Sequence, residues 1–265
     1  MRPVFIPDNI REYWNTPASS EEACKVIAEL YHGLTGASPE VSIVIPAYNE
    51  EDNIVKTLLS LCHNHTGKKV EIVVVNNNSS DNTEALVRAC GVVCINESRQ
   101  GITQARNTGL AEAKGKYVLN ADADTLYPRN WIKEMVKPLD TNEKTALTYG
   151  RFSFIPVGDT QRGTYFFYEY ATDLVRWINK QFREEAVNVY GFNSGFRREQ
   201  GLAVDGFTHP PGTNEDGWLG LKLREKGFGK LHYVTTAPVW TTDRRIQIDG
   251  GLWKAVWKRV KRNIQ

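Results

Sequence analysis

The sequence predicts an α/β protein built on a Rossmann-like, mostly parallel sheet flanked by helices, and three observations carry that expectation. Short runs rich in β-branched residues recur at 41–46, 71–75, 92–95 and 116–121. The segments between them repeat their apolar residues at helical spacing. Polar clusters follow directly on the strand-like runs, at 46–50, 76–81 and 122–124. Buried strands alternating with helices form βαβ units whose right-handed crossovers yield a parallel sheet. Ligands of such sheets sit beyond the carboxyl ends of the strands, where these polar clusters fall.

Each element has a local reason. Ser19-Ser20-Glu21-Glu22 is a capping signal, and Ala23, Val26, Ile27, Leu30 and Tyr31 then share one helical face over 19–34. Residues 1–38 therefore read as an N-terminal helical extension, closed by the break from Gly36 to Pro39. VSIVIP (41–46) is the first strand, and Ile54, Leu58, Leu61 and Cys62 mark the helix after it. EIVVV (71–75) precedes a helix over 82–90, VVCI (92–95) one over 102–114, and KYVLNA (116–121) follows.

The second half is less regular, with an aromatic-rich stretch at 163–182, a glycine-rich one from Tyr190 to Gly195, and a helix beginning near Glu215. It reads as the part of a single main domain, 39–245, that completes a pocket. Over 246–265 a basic amphipathic helix is expected, with Trp253, Val256, Trp257 and Val260 on one face and Lys254, Lys258, Arg259, Lys261 and Arg262 over much of the rest. Such a helix can rest on a membrane surface.

With 265 residues there is room for one sizeable core with appendages. A net charge of +2 is too small to point to a nucleic-acid partner. The start lacks the apolar run of a signal peptide, and no stretch approaches a spanning helix, so a soluble, cytoplasmic protein is expected, peripheral at most to the inner face of the cell membrane. Cys24, Cys62, Cys90 and Cys94 have neither zinc-site spacing nor the density of a disulfide scaffold, and read as buried thiols.

Asp122 and Asp124 are separated by one residue, so on an extended segment their carboxylates point the same way. That arrangement suits a hard divalent cation, Mn2+ or Mg2+, which takes oxygen ligands and keeps positions open for phosphate oxygens. An isolated Asp-x-Asp is ordinary turn chemistry. Here it follows a buried strand and shares a sheet edge with two other polar clusters.

SIVIPAYNE (42–50), VVVNNNSSDNT (73–83), GITQARNTGLAEAKGKYVLNADADT (101–125) and NEDGWLGLKLREKG (214–227) together resemble glycosyltransferase family 2. The resemblance implies the GT-A fold over 39–245 and a transfer that usually inverts the anomeric centre. It implies that Ala47, Tyr48 and Glu50, with Pro46, Asn76 and Asn78, lie against the nucleotide of a nucleotide-sugar donor. Asp122, Ala123 and Asp124 would lie at the sugar diphosphate and metal, and Arg106 would either neutralise phosphate or brace the Asp-x-Asp loop. Asn76 departs from the family, which commonly has Asp there; Asn keeps an acceptor but adds two donors, so the base is open, with a UDP-sugar the first expectation.

Glu215-Asp216 resembles the family's acidic pair, whose second carboxylate is the base towards the acceptor hydroxyl; two acids at a helix start also complement its dipole. Gly191–Arg198 resembles the acceptor-side segment, and Thr242–Arg245 is a candidate source of cations for the diphosphate or an acidic acceptor. His209 and His232 are candidates for the metal shell, although a lone histidine is more often structural. The Gln-x-x-Arg-Trp signature of processive synthases is absent, so transfer of a single sugar to a glycan, lipid-linked or other hydroxyl acceptor is expected. The competing readings are a nucleotidyltransferase, which would carry a glycine-rich loop with lysine where Pro46–Glu50 stands, and a nucleotide-sugar-binding protein without turnover.

Overall fold

Helices and strands alternate through the first half as the periodicity requires. The computed structural model describes residues 2–248 together with 250, 251 and 254. Helices α1 (Asp8–Asn15) and α2 (Glu21–Leu34) precede β1 (Val41–Ala47), α3 (Ile54–Cys62), β2 (Val70–Asn76), α4 (Thr83–Ala89), β3 (Val93–Asn96), α5 (Ile102–Glu112) and β4 (Tyr117–Asn120). Then come β5 (Thr125–Leu126), α6 (Trp131–Thr141), β6 (Thr145–Ile155), α7 (Arg162–Phe182), β7 (Ser194–Arg197), α8 (Arg198–Leu202), α9 (Glu215–Glu225), β8 (Lys230–Thr242) and α10 (Arg244–Ile248). Ser20 caps α2 as its sequence suggests, its hydroxyl accepting from the Ala23 N–H at 3.0 Å.

The strands form one eight-stranded sheet in the order β3-β2-β1-β4-β7-β6-β8-β5. Strands β3, β2, β1 and β4 run parallel, as the βαβ pattern implies. Strand β7 then enters antiparallel between β4 and β6, and β6 pairs parallel with β8. The long strands β6 and β8 do not stand out in the sequence, because Gly150 and Arg151 interrupt one and Pro238 the other, and their pairing carries two register shifts. Helix α1 has no clear signal in the residue order either; it buries Ile10 and Tyr13.

Alternate residues of a strand point to opposite faces, and this divides the core in two. Ile43 and Ile45 of β1, with Ile72 and Val74 of β2, face a layer that also holds Ile10, Tyr13 and Ile27 of α1 and α2. Val44, Val73 and Val75 face the other layer, under α5 and α9. Helix α5 approaches β1 so closely that a Cβ on Gly109 would lie 2.2 Å from Val44. All four cysteines are buried free thiols, and burial pushes Cys62 up to about 12.

Helix α7 is fastened by an internal ion network. Glu169, fully buried, accepts from Arg2 at 3.2 Å and Arg162 at 2.9 Å, while Asp173 accepts from Arg2 at 2.6 Å and also pairs with Arg176. Burial opposes the Asp173 charge, but Arg2 and Arg176 hold its carboxyl below the usual carboxylate range. Among the described residues no helix is long and apolar enough to cross a membrane. The C-terminal amphipathic helix expected over 246–265 lies, beyond Ile248, almost wholly outside the described residues.

Candidate active site

The parallel register brings the polar clusters to one edge. Ala47 is level with Asn76, and its carbonyl accepts from the Asn77 N–H at 2.8 Å. The Val44 carbonyl accepts from Ala121 at 3.0 Å, which sets Asp122 beyond the end of β4 and beside β1. The result is a cleft of about 290 Å3 lined by Pro46, Ala47, Tyr48, Glu50, Asn77, Gln100, Gly101, Ile102, Asp122, Ala123 and Asp124. A larger open cavity of about 850 Å3, lined by His63, His65, Lys68 and Lys133 among others, contains none of these strand-end residues.

Local bonds shape the cleft. Asn49 adopts φ 53°, which Asn tolerates. Its side chain accepts from the Ser80 N–H at 2.9 Å, and the Glu50 N–H donates to Thr83 Oγ1 at 2.8 Å, so the first two loops brace each other. The loop of Asp122–Asp124 is pinned from below by Thr57 of α3, whose buried hydroxyl lies 2.7 Å from the Ala123 carbonyl and 3.0 Å from that of Thr125. Tyr127 accepts from the Asp122 N–H at 3.0 Å and donates to the Phe192 carbonyl at 3.1 Å, linking this loop to the acceptor-side segment.

Asn76 and Asn77 are adjacent and point to different tasks. The Asn76 amide donates to Asn96 at 2.9 Å and Glu84 at 3.3 Å, and its oxygen accepts from Ser79. It holds the loop from behind and does not line the cleft. Asn77 does line it, with its oxygen accepting from Gly101 at 2.7 Å. Asn78 is exposed at φ 65°.

Arg106 joins the two carboxylate groups. Its buried guanidinium donates to Asp122 Oδ1 at 2.9 Å, and its Nε lies 3.5 Å from Asp216 and 4.0 Å from Glu215. Burial works against this charge, but Asp216, Asp122 and Glu215 together hold it protonated and raise its affinity for the proton. Asn214, which sequence reasoning passed over, caps α9 by accepting from the Gly217 N–H at 2.9 Å. Asp216 is therefore not the capping group of its helix and turns inward.

At Asp216 burial is the largest influence; with Glu215 and Asp122 nearby it outweighs the Arg106 cation and raises the carboxyl to about 7. Its Oδ1 has no hydrogen-bond donor. Gly191 closes the space behind: a Cβ there would lie 2.1 Å from Arg106 and 2.4 Å from Asp216, so a larger side chain would displace one or both of these groups.

Arg244, at the start of α10, reaches across the cleft mouth to Glu50 at 2.7 Å and Asp124 at 3.1 Å. His209 bonds Thr103 and Thr213, and His232 lies in β8, pushed down by burial and Lys180; neither lines the cleft. Among the described residues no group of three His, Cys, Asp or Glu could hold a metal alone. Asp122 and Asp124 are partly open carboxylates on one wall, a hard-oxygen pair that fits a cation sharing its coordination with donor phosphates.

A family model described as Glycosyl transferase family 2 matches residues 42–200, which include the cleft loops and Arg106. The chain belongs to glycosyltransferase family 2. Its fold is the GT-A fold.

Among curated family 2 relatives, the probable glycosyltransferase YdaM of Bacillus subtilis is 26% identical over 237 residues, covering 84% of this chain and 54% of YdaM. The Escherichia coli enzyme WfaP, a UDP-Glc:alpha-D-GlcNAc-diphosphoundecaprenol beta-1,3-glucosyltransferase, is 32% identical over 116 residues, covering 42% of this chain and 45% of WfaP. The family 2 chain thus spans about half, or less, of each of these relatives.

The fold recurs in solved structures. Staphylococcus aureus TarS in complex with UDP-GlcNAc has TM-score 0.58 at 18% identity, over 77% of this chain and 58% of TarS. The Pyrobaculum calidifontis mannosyltransferase PcManGT with GDP-Man and Mn2+ has TM-score 0.56 at 21% identity, over 81% of this chain and 68% of PcManGT.

Proposed function

We propose that this glycosyltransferase moves a single sugar from a nucleoside-diphosphate sugar, a UDP-sugar first, to a hydroxyl of a glycan, lipid-linked or related acceptor, with inversion and with Mn2+ or Mg2+, in polysaccharide or glycoconjugate assembly. The observation that carries this reading is the pairing of an acid-lined cleft with a buried carboxylate behind it, through Arg106. WfaP by its name uses UDP-Glc, and TarS and PcManGT were solved with UDP-GlcNAc and with GDP-Man and Mn2+, which supports a nucleotide-sugar donor and a divalent cation here.

In this reading Tyr48, half exposed at the cleft wall, covers the base, while Pro46, Ala47 and Glu50 meet the nucleoside. Asn76 and Asn78 act by shaping the loop that carries Asn77. Asp216 takes the proton of the acceptor hydroxyl, for which its Oδ1 is free of other donors, as the hydroxyl oxygen attacks the anomeric carbon. The bond from that carbon to the diphosphate oxygen breaks, and its electron pair leaves with the nucleoside diphosphate. A cation held by Asp122 and Asp124 would act as a Lewis acid on this leaving group. Glu215 orients the acceptor side, and Arg106 fixes Asp122 and Asp216 in relation to each other.

Thermal unfolding with UDP, GDP, CDP and dTDP, each with and without manganese, tests the donor site. One nucleotide at about 100 times its Kd should add roughly 2.7 kcal/mol, several degrees in Tm, with manganese only. Asp124→Ala is expected to lose that shift. A shift equal without manganese and unchanged in the variant would overturn the assignment.

Arg244 gives a second test. Its guanidinium pairs with Asp124 and Glu50, and when a donor with its cation engages Asp124 the arginine is released towards the diphosphate. Arg244→Gln is expected to weaken nucleotide binding about 10-fold, the scale of one charge-assisted contact, while binding of manganese alone tightens. Calorimetric titration of both ligands checks this, and parallel changes in the two affinities would contradict it.

A further inference from the structure

Helix α7 departs from the usual arrangement of a surface helix: both its acids and Arg176 are turned inward, while a row of large apolar side chains lies outside. Phe167, Tyr170, Leu174, Trp177 and Phe182 are between 43% and 74% exposed and recur at helical spacing. Phe166 packs edge-on against Phe167 and Tyr170, and Trp177 against Phe182, so aromatic groups stand towards both ends of a helix about 31 Å long at about 1.5 Å per residue, with exposed Leu174 between them in sequence. The two acids of α7, Glu169 and Asp173, are turned to Arg2, Arg162 and Arg176. The outer face thus carries no anion of its own helix; at its end Arg183 is exposed, while Lys180 pairs with Glu185 at 3.0 Å. An apolar surface of this extent marks an interaction site.

Where the chain continues indicates the partner. Tyr165, in the first turn of α7, donates to Asp243 at 2.6 Å, and Asp243 also accepts from the Val157 N–H at 2.8 Å. Helix α10 therefore starts beside the beginning of α7. The sequence after Gly251 brings Lys254, Lys258, Arg259, Lys261 and Arg262 together with Trp253 and Trp257, and no acidic side chain. Aromatic side chains with a polar edge favour the headgroup region of a bilayer, and clustered lysine and arginine favour anionic lipid. Stable attachment at a surface needs two such signals, and this chain carries both.

We propose that the outer face of α7 is a docking surface for an anionic phospholipid bilayer. The contact does not depend on which sugar or acceptor the enzyme uses.

Co-sedimentation of the full chain with vesicles of phosphatidylcholine alone, or mixed equally with phosphatidylglycerol, tests this. The protein should bind the anionic vesicles and not the neutral ones. Phe167→Ser, Leu174→Ser and Trp177→Ser combined should lower that partition at least about 10-fold, with the Tm and the nucleotide response unchanged, because all three side chains are exposed. Leu174→Glu alone should act in the same direction through charge repulsion, and it keeps the test decisive if the triple variant fails to fold. Failure of the wild-type protein to bind, or unchanged binding by the α7 variants, would overturn the proposal. So would self-association in light scattering that the triple variant abolishes in the absence of vesicle binding, which would make this face a contact between two copies of the chain.

Discussion

Replacing Asp216 by Asn is expected to lower kcat by roughly 10^2- to 10^4-fold, the range for loss of a general base, and to leave nucleotide affinity nearly unchanged. The substitution is close to isosteric, and Asp216 does not line the donor cleft, so the effect should separate cleanly into kcat. Steady-state kinetics beside nucleotide titration would show it; full transfer by the Asp216→Asn variant would remove the base assignment.

The carboxyl stands at about 7 because burial, Glu215 and Asp122 oppose its ionisation more than Arg106 favours it. Since the proposed base would work deprotonated, kcat/KM of the wild-type protein should rise with pH through about 7 and level off above it. Asp216→Asn should remove that limb.

Stability should move the opposite way. The folded-state value lies above the ordinary 3.8, so the native protein binds this proton more tightly than the unfolded chain. Its contribution is complete below about pH 4 and is lost as pH rises through about 7. At pH 8 the Asp216→Asn variant should therefore unfold at a higher temperature than wild type, by a few degrees if about 1–2 kcal/mol is recovered. A lower Tm at pH 8 would mean that the carboxylate is stabilised by its surroundings and does not carry this strain.

Replacing Arg106 by Met should produce the largest loss of stability. The side chain is buried, its charge faces Asp122, Glu215 and Asp216, and its removal leaves three acids around a site with no described cation between them. Breaking a buried pair by removing one partner costs about 3–5 kcal/mol, on the order of 10 °C in Tm for a chain of this size. Arg106→Lys keeps the charge without the planar fork, so its loss should be intermediate. Urea unfolding would measure both, and an Arg106→Met variant as stable as wild type would exclude the bracing role. If that variant folds, its activity limb should lie at higher pH, because Arg106 is the group that lowers the Asp216 value.

Much of the fold and of the donor cleft is legible in the residue order. The β-branched runs before Pro46, Asn76 and Asp122 specify parallel strands, and a parallel register necessarily brings the residues after each strand to one edge. Seven of the anticipated donor residues, Pro46, Ala47, Tyr48, Glu50, Asp122, Ala123 and Asp124, line the cleft for that reason. The helix of Glu215-Asp216 and the Ser20 cap also follow from local signals.

Other features depend on contacts between residues far apart in the chain. Which of Asn76 and Asn77 faces the cleft is decided by where β2 ends and by the bonds each amide finds with Asn96 and Gly101. Arg106 could have served phosphate or loop until α9 supplied Asp216 on its other side. Burial of Asp216, the reach of Arg244 to Asp124 over 120 positions, and the strand pairing of β6 with β8 have no periodic signature. Local pattern determines which backbone forms and which way a side chain points along it. Desolvation and ion pairing depend on what the rest of the chain packs against that side chain, and that is settled only when the sheet closes and α9 and α10 are laid across its edge.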